Sequence, residues 1–117
     1  MRNFDTEAYR DTLRPMWNAF NDQGGDLVLT GHTHSYERFQ PMTPQGAVDA
    51  NGIQSIIVGT GGKDLQQPSS PPEPNRVVQS STSFGVLELT LHSSSYDWRF
   101  VPIPGQSFTD AGSRGCH

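Results

Sequence analysis

The chain has 117 residues, of which 32% are apolar, with 12 glycines and 9 prolines. That size and composition suit one loop-rich domain containing β-structure and argue against a helical bundle. A formal net charge of -4 without Lys/Arg clusters leaves no surface to neutralise a run of phosphates, so a dedicated nucleic-acid binder is excluded. No apolar run approaches the roughly 20 residues of a membrane-spanning helix, and Met1-Arg2-Asn3-Phe4-Asp5 lacks the apolar centre of an export signal.

Residues 3 to 12 are polar, and Asp5 is suited to cap a short helical turn that Pro15 interrupts. From there a helix is expected over residues 14 to 23. Pro15 fits a first helical position, Leu13, Met16 or Trp17, and Phe20 recur at helical spacing, and Gly24-Gly25 provide the stop. Trp17 and Phe20 would pack this helix on a sheet as plain core residues. The strand Leu27-Val28-Leu29 follows, and its unbroken apolar run predicts cover on both faces.

The strand opens directly into Gly31-His32-Thr33-His34-Ser35-Tyr36-Glu37-Arg38. Imidazole is the commonest metal ligand at neutral pH, and in open α/β sheets ligands sit beyond the carboxyl ends of strands, where His32 and His34 fall. Side chains at i and i+2 share a face but need a turn to reach one ion, and Gly31 would permit it. The two rings could share a metal or each take one of two neighbouring ions; incidental exposure of two loop residues is the plainer alternative.

After a turn-rich exit over residues 39 to 46, Ile53-Gln54-Ser55-Ile56-Ile57-Val58 reads as a strand closed by Gly59-Thr60-Gly61-Gly62-Lys63. A nucleotide P-loop is rejected, because position 57 is Ile where that motif needs its first glycine and Asp64 stands where it needs a hydroxyl. Gly59, Thr60, Gly61 and Gly62 could instead form a turn that brings backbone amides near a metal-bound phosphate, or a purely structural turn. Residues 64 to 82, with Pro68, Pro71, Pro72 and Pro74 among serines and glutamines, are expected as a flexible loop without an element of its own.

The C-terminal third reads as a hairpin. Leu87, Leu89 and Leu91 form one apolar face, Ser93-Ser94-Ser95 turns the chain, and Tyr96, Trp98 and Phe100 form the other, with Glu88 and Arg99 placed to pair across strands. His92 and His117 are expected to be inert, and Cys116 is either a free thiol or half of a disulfide.

The stretch Gly31-His32-Thr33-His34-Ser35-Tyr36-Glu37-Arg38, entered from Asp26-Leu27-Val28-Leu29, resembles the last motif of the calcineurin-like metallophosphoesterases, most closely in the purple acid phosphatase and bacterial alkaline-phosphatase-like branch. The resemblance implies an α/β (α+β) fold, the C-terminal part of a four-layer α/β/β/α sandwich. It implies metal-dependent hydrolysis of phosphate esters, of the monoesterase type, at a centre of two divalent or trivalent ions such as Fe, Zn or Mn. His32 would hold one ion and His34 the other, while Gly31, Tyr36, Glu37 and Arg38 support the loop from behind.

The family's upstream ligands, in motifs of the form Asp-x-His, Gly-Asp-x-x-Tyr and Gly-Asn-His, have no counterpart here, and Asp26 sits in the lead-in to the terminal strand rather than in the place of a bridging carboxylate. The chain is therefore expected to be catalytically incomplete, with its general acid elsewhere and the N-terminal half of the same domain as its partner. The tail 108 to 117 is similar to the ends of secreted members, which implies an extracellular parent enzyme and favours a disulfide for Cys116. The rivals are a cupin-like metal-binding β-barrel, whose spacing after His-x-His is longer than Glu37 allows, and a non-catalytic binding module.

Overall fold

The computed structural model describes residues 7–117, with side chains from residue 11 onward. The expected cap at Asp5 lies outside the described residues. The element order is one helix, α1 (Glu7–Asp22), then seven strands: β1 (Leu27–Thr30), β2 (Tyr36–Phe39), β3 (Gln54–Val58), β4 (Arg76–Ser80), β5 (Gly85–Leu91), β6 (Ser95–Pro102) and β7 (Ala111–Gly115). The expected mixed α/β architecture is what the chain adopts.

Two features of α1 differ from expectation. The helix begins a full two turns earlier and runs through Pro15, which therefore occupies the interior and not the first position. The carbonyl that Pro15 leaves unpaired belongs to Asp11, an exposed residue, so water can satisfy it. The second correction concerns packing. Trp17 is only half-buried and Phe20 and Met16 are exposed, so the aromatics are not core. Phe20 instead closes over the helix end, where a Cβ on Gly25 would lie 2.2 Å from its ring. The stop itself is a Schellman cap: Gly24 has φ +75°, its N–H donates to Asn21 O, and the Gly25 N–H donates to Phe20 O at 2.9 Å.

The strands form two sheets. One has the order β1-β3-β2-β4, with β1 parallel to β3 and β2 antiparallel to both its neighbours; the other is the antiparallel β5-β6-β7. The expected hairpin is present with Leu87 opposite Phe100, Leu89 opposite Trp98 and Leu91 opposite Tyr96, and Glu88 pairs with Arg99 at 3.0 Å. β1 lies at an edge of its sheet, and it is not covered on both faces as expected: Leu27 and Val28 are half-buried and Leu29 is exposed.

The core lies between the sheets. Tyr36 and Ile56 of the first meet Tyr96, Trp98 and Phe100 of the second, because the period of two on β6 sends those three rings to one side. Tyr36 packs edge-on to Phe100 with centroids 5.1 Å apart, and Phe108 leans on both rings. Such pairs add about 0.5–1.5 kcal/mol each beyond area burial. A buried hydrogen bond from Tyr96 Oη to Gln54 Oε1 at 2.7 Å also spans the sheets.

Three strands lie outside the expected elements: β2, within the histidine motif and the start of the exit, β4 and β7. β4 runs through the end of the segment expected to form no element; its backbone bonds come from β2, so it needs no core of its own. β7 is made of Ala-Gly-Ser-Arg-Gly, poor strand formers, yet Gly112 must be small because a Cβ there would sit 2.3 Å from the Trp98 ring. Arg114 then ties β7 to the first sheet by donating to the carbonyls of Asp26, Ala50 and Gly52 at 2.7–2.9 Å.

Candidate metal centre

The β1–β2 connection, residues 31 to 35, carries both histidines. It is made of two successive three-residue turns: the Thr33 N–H donates to Gly31 O at 2.8 Å and the Ser35 N–H to Thr33 O at 2.9 Å. His32 is the middle residue of the first and has φ +69°. That is the left-handed γ-turn, rare and strained for a side chain with a Cβ, at a cost of about 1–3 kcal/mol. The turn expected of Gly31 is thus taken by His32 itself, which stays exposed.

His34 is held more firmly. Its Nδ1 lies 2.8 Å from Asp64 Oδ1, its N–H donates to Gln66 Oε1 at 3.1 Å, and its carbonyl accepts from the Gln66 N–H at 2.8 Å. Gln66 is fixed in turn by Ser81, whose hydroxyl donates to the Gln66 carbonyl. The Asp64 carboxyl is held below the usual carboxylate range, by its own backbone amide first and by His34 second. Neither Asp64 nor Gln66 was legible as a site residue, since both fall where composition reads only as loop.

The glycine turn is adjacent. The Gly59 N–H donates to Ser35 O at 3.0 Å, and a Cβ on Gly59 would lie 1.9 Å from Thr33 O, so only glycine lets the two segments approach. Thr60 is buried and donates to Gly85 O at 2.9 Å, while Gly61 and Gly62 are exposed. The turn and the histidine loop are thus brought together.

Behind the loop, β2 divides its motif between two faces. Tyr36 and Arg38 point one way, onto Asp110. That carboxylate accepts from Tyr36 Oη at 2.6 Å, from Arg38 Nε at 2.7 Å and Nη2 at 3.1 Å, and from Trp98 Nε1 at 3.3 Å. The Arg38 guanidinium also lies 5.1 Å over the Trp98 ring. Burial alone would raise the Asp110 pKa, but the bonds from Arg38 and Tyr36 outweigh it and hold the group below its ordinary value. Burial and then donation to Asp110 push the Tyr36 hydroxyl far up. Glu37 points the other way, accepting from Ser35 Oγ at 2.9 Å and from Arg76 Nη1 at 3.1 Å, an ion pair almost fully buried on both sides. Among the described residues no buried side-chain polar atom lacks a partner.

His92 and His117 stay outside this constellation, bonding Asp97 and Asp26 respectively, and the side chain of Cys116 is exposed. Among the described residues no three His, Cys, Asp or Glu side chains come together as a metal cage, and no helix is long and apolar enough to cross a membrane. Two imidazoles are right for a transition metal in donor chemistry but fewer than the three or four protein ligands zinc takes.

No protein-family model matches the chain. Purple acid phosphatase 18 of Arabidopsis thaliana is 36% identical over 75 residues, 62% of this chain and 17% of the plant protein. In fold, the chain matches the purple acid phosphatase PPD1 from yellow lupin (Lupinus luteus) seeds with a TM-score of 0.71 at 23% identity, over 88% of this chain and 19% of that one. Over this part of its length the chain is thus similar in sequence to one purple acid phosphatase and in fold to another. Its fold corresponds to the C-terminal part of a purple acid phosphatase. It spans less than a fifth of the length of either phosphatase.

Proposed function

We propose that this chain supplies the last two metal ligands, His32 and His34, of a two-metal centre that hydrolyses phosphate monoesters. The observation that carries this reading is the build of the loop: the buried polar groups behind it are all satisfied, while just beyond the end of β1 His32 is exposed and the half-buried His34 ring is bonded at Nδ1 rather than at Nε2. Similarity in sequence to a purple acid phosphatase supports the reaction class.

Iron, zinc or manganese in such a centre would supply Lewis acidity and a water of lowered pKa. This chain's part is to hold the ligands. His34 offers Nε2 from a ring tethered at Nδ1, and His32 offers its ring from a strained turn. Tyr36, Glu37 and Arg38 keep the loop's base rigid through Asp110 and Arg76. The remaining ligands and the general acid come from the N-terminal part of the same domain, and the parent enzyme is extracellular.

The test is metal titration and phosphatase assay of the purified 117-residue chain, alone and mixed with a candidate N-terminal half. Weak metal binding and negligible turnover alone, with activity appearing on mixing, are expected. Tight stoichiometric metal and efficient turnover by the chain alone would show that the ligands are misassigned.

A further inference from the structure

We infer that Asp64 is a positioning residue for His34: it holds the ring as the Nδ1–H tautomer and so leaves Nε2 as the one nitrogen able to take a metal. The inference rests on the proposed metal reading only for its purpose; the tautomer stands on geometry alone. Asp64 Oδ1 lies 2.8 Å from Nδ1, and a carboxylate can only accept, so the proton sits on Nδ1. A free imidazole prefers the opposite arrangement, with its proton on Nε2, which would block that atom as a ligand.

An exposed hydrogen bond to a side chain as open as Asp64 would ordinarily orient little. Here the segment that carries it is pinned independently. Gln66, two residues on, exchanges two hydrogen bonds with the backbone of His34 itself, and Ser81 holds the Gln66 carbonyl. Asp64-Leu65-Gln66 therefore grips one residue at its N–H, its carbonyl and its ring. The carboxylate meets the imidazole because the two backbones are already in register, and the entropy of finding that geometry has been spent on the backbone bonds.

The experiment is long-range ¹H–¹⁵N correlation of the histidine side chains at a pH where the rings are neutral, in the wild-type chain, D64A and D64N, with Zn²⁺ titration of each and of H34A. Wild-type His34 should show a protonated Nδ1. D64A should shift it toward the Nε2–H form and weaken Zn²⁺ by about 10–100-fold, while D64N, whose side-chain oxygen still accepts, should retain much of the wild-type tautomer. An Nε2–H ring in the wild type, or a tautomer unchanged in D64A, overturns the inference, as would a D64A chain that is merely less stable with the ring spectrum intact. H34A binding Zn²⁺ as well as the wild type sinks the metal reading instead, and the tautomer result then still decides the part played by Asp64.

Discussion

The two sides of β2 and the loop that precedes it are built on opposite rules. Behind the loop, Tyr36, Arg38 and Trp98 converge on Asp110, and Glu37 is locked between Ser35 and Arg76, with almost no solvent reaching either carboxylate. At the loop's tip, His32 is exposed and strained and His34 has one side-chain tether. Stability is concentrated where no chemistry is expected, and the residues proposed to do chemistry contribute little to it. A rigid base lets a strained tip keep its shape.

That contrast can be broken most directly from behind. D110A removes the acceptor shared by Tyr36, Arg38 and Trp98 and strands a largely buried guanidinium, so urea denaturation should show a loss of about 3–5 kcal/mol. A loss under about 1 kcal/mol would mean the cluster is not the support it looks like. G59A comes next. Its Cβ would collide with the Thr33 carbonyl, and a loss of about 1–3 kcal/mol together with shifted His32 and His34 resonances is expected.

The same cluster sets a pH dependence. The folded-state pKa of Asp110 is depressed, so its contribution is fully present above the unfolded carboxylate value of about 4 and is lost as pH falls through the lower folded value. Stability measured from pH 6 down to pH 2 should fall steeply for the wild type and less steeply for D110N; parallel curves would remove Asp110 as the acid-sensitive group.

At the tip the effects should be small and of the opposite kind. H32G relieves the positive φ and should be more stable than H32A by about 1 kcal/mol, with neither variant retaining the metal affinity of the wild type. Equal stabilities would show that the turn carries no strain. Smallest of all, breaking the exposed Glu88–Arg99 pair by E88A should cost under about 1 kcal/mol, the control for a surface interaction.

Local pattern made part of this molecule legible. The alternation on β5 and β6, the apolar runs of β1 and β3, and the double glycine after α1 each announce themselves within a few residues. The rest depends on partners far along the chain. β4 and β7 exist because β2 and β6 offer them backbone bonds, and Asp110 matters because the fold brings it to Arg38, 72 residues earlier. Of the site, the histidine pair stood out by its position after a strand, and Tyr36, Glu37 and Arg38 by the family motif. Asp64 did not, since a carboxylate in a polar stretch has no signature until His34 is seen beside it. The helix misled in the other direction: Trp17 and Phe20 have the spacing of a buried face, but Phe20 caps the helix end instead of entering the core.

The most direct measurement is Zn²⁺ titration of the 117-residue chain beside H32A and H34A, followed by calorimetry and by the histidine ring resonances. Weak binding that perturbs His32 and His34 alone, and that falls by about tenfold or more in each variant, is the expected result. Binding that is indifferent to both substitutions, or that moves His92 or His117 instead, would contradict the assignment of these two histidines as ligands.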